Sequence, residues 1–191
     1  RSHGITKDPD LIQNRELGFS EVNGKLIMNP WYYEMQELSF NYRISDFQCA
    51  LGRSQLTKLD SFVGRRNQLA NSYRDVLSRE LPDDALPLET HPDVYCAYHL
   101  FVIRISFTQL RGGRAALMNF LWERGIQTQV NYMPIYLHPY YQSYFDVLPN
   151  LTEAQRYYDE CLSLPLFVGM HDRDPERIVE ALAEGIDFLR A

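Results

Sequence analysis

Lysine is scarce in this chain of 191 residues: Lys7, Lys25 and Lys58 are all there are. Chemistry that needs a lysine amine must use one of these three or happen elsewhere. Cysteine is scarce too. Cys49, Cys96 and Cys161 are far apart and odd in number, with no CxxC pair. That excludes zinc-ligand spacing and a disulfide framework, and leaves buried reduced thiols in a cytosolic protein as the expectation. No apolar run approaches the roughly 18–20 residues of a membrane span. Positive charge is in deficit, with 19 basic against 25 acidic residues and a net charge of −6. A phosphate-coating surface needs the opposite balance, so bulk nucleic-acid binding is not expected. GxGxxG, Walker, HExxH and GxSxG motifs are all missing. So is an initiator Met or a signal-like stretch: the chain opens Arg1-Ser2-His3-Gly4, as the interior of a longer protein would.

What is present describes a folded domain. Hydrophobic residues make up 45% and charged residues 23%, ordinary values that exclude dominant disorder. A chain of this size buries roughly 70% of the surface its unfolded form exposes.

Residues 1–40 are turn-rich. Asn23-Gly24 and Asn29-Pro30 are turn signals, and Trp31-Tyr32-Tyr33 follows without periodicity. Loops and short elements that need a larger body are expected there. Residues 45–80 carry the strongest helical pattern. Ser45 and Gln48 fit a capping box, with Asp46 at the positive helix start. Apolar residues then recur at helical spacing from Leu56 to Leu77. Gly52 and Gly64 interrupt this one long helix as a bend or a close helix contact. Tyr98–Ile105 reads as a strand, and 113–124 as a short helix closed by Gly125.

Residues 126–132 alternate strictly. Ile126, Thr128, Val130 and Tyr132 face one way, and Gln127, Gln129 and Asn131 the other, as in a half-buried strand. An aromatic, proline-containing segment runs over 133–149. Thr152 and Gln155 spell a second capping box. That is a better use for Thr152 than the chance glycosylation sequon Asn150-Leu151-Thr152. Asp174-Pro175 opens the last helix, whose stripe is Ile178, Leu182, Ile186 and Leu189. The order fits an α/β sandwich over 66–191, a small, mainly antiparallel sheet covered by helices.

Pattern alone nominates few sites. Asp83-Asp84 reads as a solvated turn, Arg65-Arg66 as the polar side of the long helix, and His91 and His171 as exposed loop residues. Three clusters remain. Phe40-Asn41-Tyr42-Arg43 precedes a capped helix start, where amide and guanidinium groups suit a phosphate or carboxylate, or form an ordinary capped loop. Asn131-Tyr132 at a strand end runs into His138, as a site or as a packed Tyr-rich loop. Ser2-His3-Gly4 is a site or simply a surface end.

Those segments, taken in order, resemble the DegT/StrS-type sugar aminotransferases, pyridoxal-phosphate enzymes of the aspartate aminotransferase fold. The resemblance is carried by Arg1–Lys7, Phe40–Asp46, Ala50-Leu51-Gly52, Gln55–Asp60, Tyr98–Phe101, Arg124–Val130 and Leu162–Phe167. Trp31–Met35 and Leu137–Tyr141 look most like the branch that aminates a UDP-4-keto-6-deoxy sugar on the way to pseudaminic acid.

The resemblance implies the C-terminal part of a fold-type-I pyridoxal-phosphate transferase. Residues 1–65 would end the large domain and cross between domains, and 66–191 would be the small domain. In the family a lysine holds the cofactor as a Schiff base, glutamate donates the amino group, and the 4-keto carbon of the sugar receives it. That lysine lies upstream of the Ser-His-Gly segment, so this chain lacks it. Asn41 matches the asparagine that reaches the cofactor phosphate of the neighbouring subunit. Arg43 matches the adjacent anion-binding arginine. Tyr132 falls on the strand bordering the sugar, and His3 and His138 are further substrate-side candidates. Asn131 stands where family members commonly have His. It can hydrogen-bond a sugar but cannot shuttle protons near neutral pH. A cytoplasmic homodimer with shared active sites is implied. The missing lysine keeps open a non-catalytic dimerisation or partner-binding module.

Overall fold

The computed structural model describes residues 3–144 and 150–190. Expectations that fall on Arg1, Ser2 and residues 145–149 lie outside the described residues. The chain forms two compact units, Arg1–Thr57 and Lys58–Ala191. The expected domain boundary at 65/66 lies inside a helix of the second unit.

The first unit is built from short pieces. Strands β1 (Ile5–Thr6) and β4 (Glu34–Met35) pair antiparallel. Between them lie a one-turn helix α1 (Arg15–Gly18) and a hairpin of β2 (Phe19–Val22) and β3 (Lys25–Met28). The hairpin turns at Asn23 and Gly24, both at positive φ (55° and 73°). Such a turn matches the twist of the strands it joins, and Asn-Gly tolerates it best. Little is buried here beyond Ile12, Gly18 and Asn29. The Glu34 carboxylate organises the unit in place of a core. It accepts from the Gln13 and Asn14 N–H groups (2.8 and 2.6 Å), the Tyr32 hydroxyl (3.0 Å) and the Gln36 amide (3.1 Å).

Helix α2 (Asp46–Leu56) closes the first unit, and its Ser45/Gln48 capping box forms as the sequence spells it. No residue of α2 is buried. The single long helix expected over 45–80 is in fact two. The chain leaves α2 at Thr57 and re-enters helix as α3 (Leu59–Glu80). Neither glycine causes the break or a close contact: a Cβ at Gly52 or Gly64 would meet nothing within 4 Å.

The second unit has a conventional core. Strands β5 (Leu86–Pro87), β6 (Phe101–Arg104) and β7 (Cys161–Leu164) form an antiparallel sheet in that order. β6 and β7 pair with Phe101 opposite Leu164 and Arg104 opposite Cys161. Phe101 and Ile103, with Leu162 and Leu164, face a layer made by α3, α4 (Gly113–Trp122) and α7 (Asp174–Arg190). Tyr73 of α3 stacks on Phe101 at 4.8 Å and donates its hydroxyl to the Pro165 carbonyl. Gly125, at positive φ (71°), ends the α4 region as expected.

The expected strand 126–132 is largely irregular. It makes one ladder pair, Gln129 with Ser163. Its alternation holds through Gln129, with Ile126 and Thr128 buried, then reverses: Asn131 is half-buried and Tyr132 exposed. A 3₁₀ turn (Ile135–Leu137), the short helix α5 (Pro139–Gln142) and helix α6 (Thr152–Glu160) follow. The Thr152/Gln155 capping box does not form. Thr152 donates to the Asn150 side chain, and Gln155 bonds Tyr136 and Asp159 instead. Arg65 and Arg66 are not a free polar face. Arg65 reaches the Met170 carbonyl and Asp172, and Arg66 the Tyr98 carbonyl. Asp84 is not simply solvated either; it pairs with Arg190. The cysteines are free, but Cys49 is exposed, Cys96 half-buried and only Cys161 buried.

Candidate functional site

The six residues nominated from sequence fall into both units. Asn41 and Arg43 share one tight turn before α2, where the Asn41 side-chain oxygen accepts the Arg43 N–H at 3.2 Å. Both are exposed. This local bond is the usual one for Asn two residues ahead of an N–H. It points the chain into the Ser45 cap while leaving the guanidinium of Arg43 without an ion pair among the described residues. His3, exposed and at positive φ (58°), belongs to the same unit, next to Gly4, whose carbonyl accepts the Gln36 N–H.

Asn131, Tyr132 and His138 belong to the second unit. Asn131 is held in place twice. Its side-chain oxygen accepts from Ser163 Oγ (2.8 Å), and its carbonyl accepts from the Tyr157 hydroxyl (3.0 Å). Tyr132 is 74% exposed. His138 is exposed and supplies the backbone carbonyl that starts α5, bonded by the Gln142 N–H.

Sequence reasoning did not find Ser163 or Tyr157. The available clue was Ser163 itself, a polar residue inside the buried run Cys161-Leu162-Ser163-Leu164. A buried hydroxyl must find a partner.

An open cleft of about 570 Å³ lies in the second unit beside α6. Arg74 of α3, Arg104 of β6, and Arg156 and Tyr157 of α6 line it, with Glu89 and Glu153. Glu160 bridges two of its arginines, at 3.6 Å from Arg104 and 3.2 Å from Arg156. The charges are therefore largely matched within the protein. None of the six nominated residues lines this cleft, though Tyr157 joins it to Asn131.

Pyridoxal phosphate needs anion donors at one end and a shielded amine at the other. The turn before α2 offers an amide, a guanidinium and the N-terminus of an eleven-residue helix, a donor set that fits a phosphate. Lys7, Lys25 and Lys58 are all exposed. None of the three is shielded from water, so the aldehyde end finds no fit among these residues. No group of three or more His, Cys, Asp or Glu side chains able to hold a metal occurs among the described residues. No helix of the described residues is long and apolar enough to cross a membrane.

Comparison with known proteins agrees with this architecture. SpsC, a spore coat polysaccharide biosynthesis protein of Bacillus subtilis (strain 168), is 33% identical over 156 residues, which cover 81% of this chain and 40% of SpsC. The structure of Helicobacter pylori PseC, an aminotransferase involved in the biosynthesis of pseudoaminic acid, superposes with a TM-score of 0.73 at 25% identity, covering 91% of this chain and 44% of that one. Spr1654 from Streptococcus pneumoniae, a sugar aminotransferase solved in PLP and PMP forms, shares the fold. Its PMP form gives a TM-score of 0.77 at 21% identity over 98% of this chain and 43% of its own. The present chain thus spans about two fifths of the length of such relatives. Residues 5–183 match the family model directly, and the chain belongs to the DegT/DnrJ/EryC1/StrS aminotransferase family.

Proposed function

We propose that this chain is the C-terminal part of a pyridoxal-phosphate-dependent aminotransferase that moves an amino group from glutamate to the 4-keto carbon of a UDP-linked 6-deoxy sugar. The family match over residues 5–183 carries this reading. The likeness to PseC supports the choice of sugar class. When bound, the cofactor supplies the electron sink for amino transfer.

The chain's own residues do the holding. Asn41 and Arg43, exposed beside the α2 N-terminus, reach the cofactor phosphate and an anionic group in the neighbouring subunit of a cytoplasmic homodimer. Tyr132, with His138, borders the sugar. His3 is a further substrate-side contact. The exposed lysines favour a complementary statement: the 191 residues alone are inert and act only as part of the whole protein, or as a non-catalytic dimerisation or partner-binding module.

The test is to express the whole gene product and supply pyridoxal phosphate, glutamate and UDP-4-keto-6-deoxy sugars. Amino-sugar formation is the expected result, and its absence with every such substrate defeats the reading. In that protein Asn41→Ala should weaken cofactor retention by about 1.5–3 kcal/mol, the worth of a hydrogen bond to a charged group. Unchanged cofactor affinity in a titration would remove Asn41 from the phosphate site.

A further inference from the structure

We propose that Ser163 and Tyr157 are positioning residues that clamp Asn131 so that Tyr132 is presented to the ligand in one orientation. The part concerning a sugar ligand rests on the aminotransferase reading above; the clamp itself does not.

The argument starts from the two bonds on Asn131. Ser163 Oγ–H reaches its side-chain oxygen at 2.8 Å, and the Tyr157 hydroxyl reaches its main-chain oxygen at 3.0 Å. One comes from β7 and the other from α6, so the residue is tied to two separate elements. Ser163 is itself fixed. It is 5% exposed, and its backbone exchanges both bonds with Gln129 (2.8 and 3.1 Å). The Tyr157 phenol is half-buried, and burial pushes its pKa up, so it stays a neutral donor through the physiological range.

A third tie follows on the far side of Tyr132. The Tyr136 hydroxyl, on a nearly buried ring, donates to Gln155 of α6 at 3.0 Å. The segment 131–136 is thereby anchored at both ends to the same helix, while Tyr132 between the anchors is 74% exposed. An exposed aromatic on an anchored backbone is partly pre-organised for contact, because the backbone share of its ordering cost is met before a ligand arrives. The Ser163 bond fixes the plane of the Asn131 amide beside Tyr132.

Two readouts separate this from a general structural role. The first places 3-fluorotyrosine at position 132 of the 191-residue chain and records its fluorine resonance. The parent chain should give one sharp line. Ser163→Ala and Tyr157→Phe should each split or broaden it, and Ser163→Thr, which keeps the hydroxyl, should restore it. One unchanged line in both hydroxyl-deleting variants overturns the clamp. If Ser163→Ala fails to fold, Tyr157→Phe carries the same test at a half-buried site.

The second readout uses the whole enzyme with a UDP-4-keto-6-deoxy sugar. Ser163→Ala should raise the sugar KM about tenfold, as a modest misplacement of a contact does, and leave amino transfer from glutamate unchanged. Altered fluorine lines with an unchanged sugar KM would retain the clamp and overturn the role of Tyr132. If the parent enzyme aminates no such sugar, the reaction reading fails alone, and the fluorine spectra still decide the clamp.

Discussion

The two units of this chain solve opposite problems. The second wraps three helices over a small sheet, and Tyr73, Leu117, Leu162 and Leu182 have almost no contact with solvent. The first has aromatic and aliphatic residues in comparable supply but leaves them outside. Phe40, Tyr42 and Phe47 are 70–80% exposed, and α2 buries nothing. Apolar burial is the main favourable term in folding, so the second unit can hold itself together. The first is held chiefly by turns, caps and the Glu34 carboxylate. Isolated apolar residues on a surface need no explanation, but here they are concentrated on one short segment. Amphipathic sequence is therefore not by itself evidence of a core, because the same residue types serve both units.

The comparison breaks most sharply at matched leucines. Leu182→Ala, at 0% exposure in α7, should cost about 2–5 kcal/mol through lost burial and a cavity. Leu51→Ala, at 55% exposure in α2, should stay within about 0.5 kcal/mol. Denaturant titration of both variants checks this, and equal costs would erase the distinction between the units.

Glycines sharpen it on a smaller scale. A Cβ at Gly185 would lie 2.8 Å from both Leu117 and Phe120 side-chain atoms. Gly185→Ala should therefore destabilise by about 1–3 kcal/mol through overpacking. Gly64, on α3, has open space at the same position. Gly64→Ala should stabilise by about 0.5–1 kcal/mol, because alanine restricts the unfolded chain and favours helix. Thermal melts of the pair should move in opposite directions; a common direction would show the α4–α7 contact to be loose.

The smallest effect is confined to the first unit. The Gln13 N–H above all, then those of Asn14, the Gln36 amide and the Tyr32 hydroxyl, hold the Glu34 carboxyl down at about 2, against burial that opposes them. A carboxyl whose pKa is lower in the folded state stabilises it above its unfolded value, near 4.3, and loses that contribution as pH falls toward 2. Protection of the Gln13 and Asn14 amides, measured against the intrinsic exchange rate at each pH, should therefore fall between about pH 4.5 and pH 2 more than in Glu34→Gln. An equal loss of protection in the variant would show that Glu34 does not organise the unit.

Local chemistry settled much of this protein in the sequence. Ser45 and Gln48 cap α2, Asn23-Gly24 turns the hairpin, Gly125 adopts positive φ, and the stripe from Ile178 to Leu189 faces the core. Each depends on neighbours a few residues away, so the residue types carry the information themselves. The ordered motifs placed the family for the same reason. What the tertiary structure alone decided is longer in range. The capping box that Thr152 and Gln155 spell is lost, because Leu151 takes the N-cap position and Tyr136, 19 residues back, engages Gln155. The alternation of 126–132 reverses at Asn131, because Ser163, distant in sequence, engages its side chain. Spacing determines which groups can meet within an element; which distant donor reaches a buried acceptor first depends on how the elements pack.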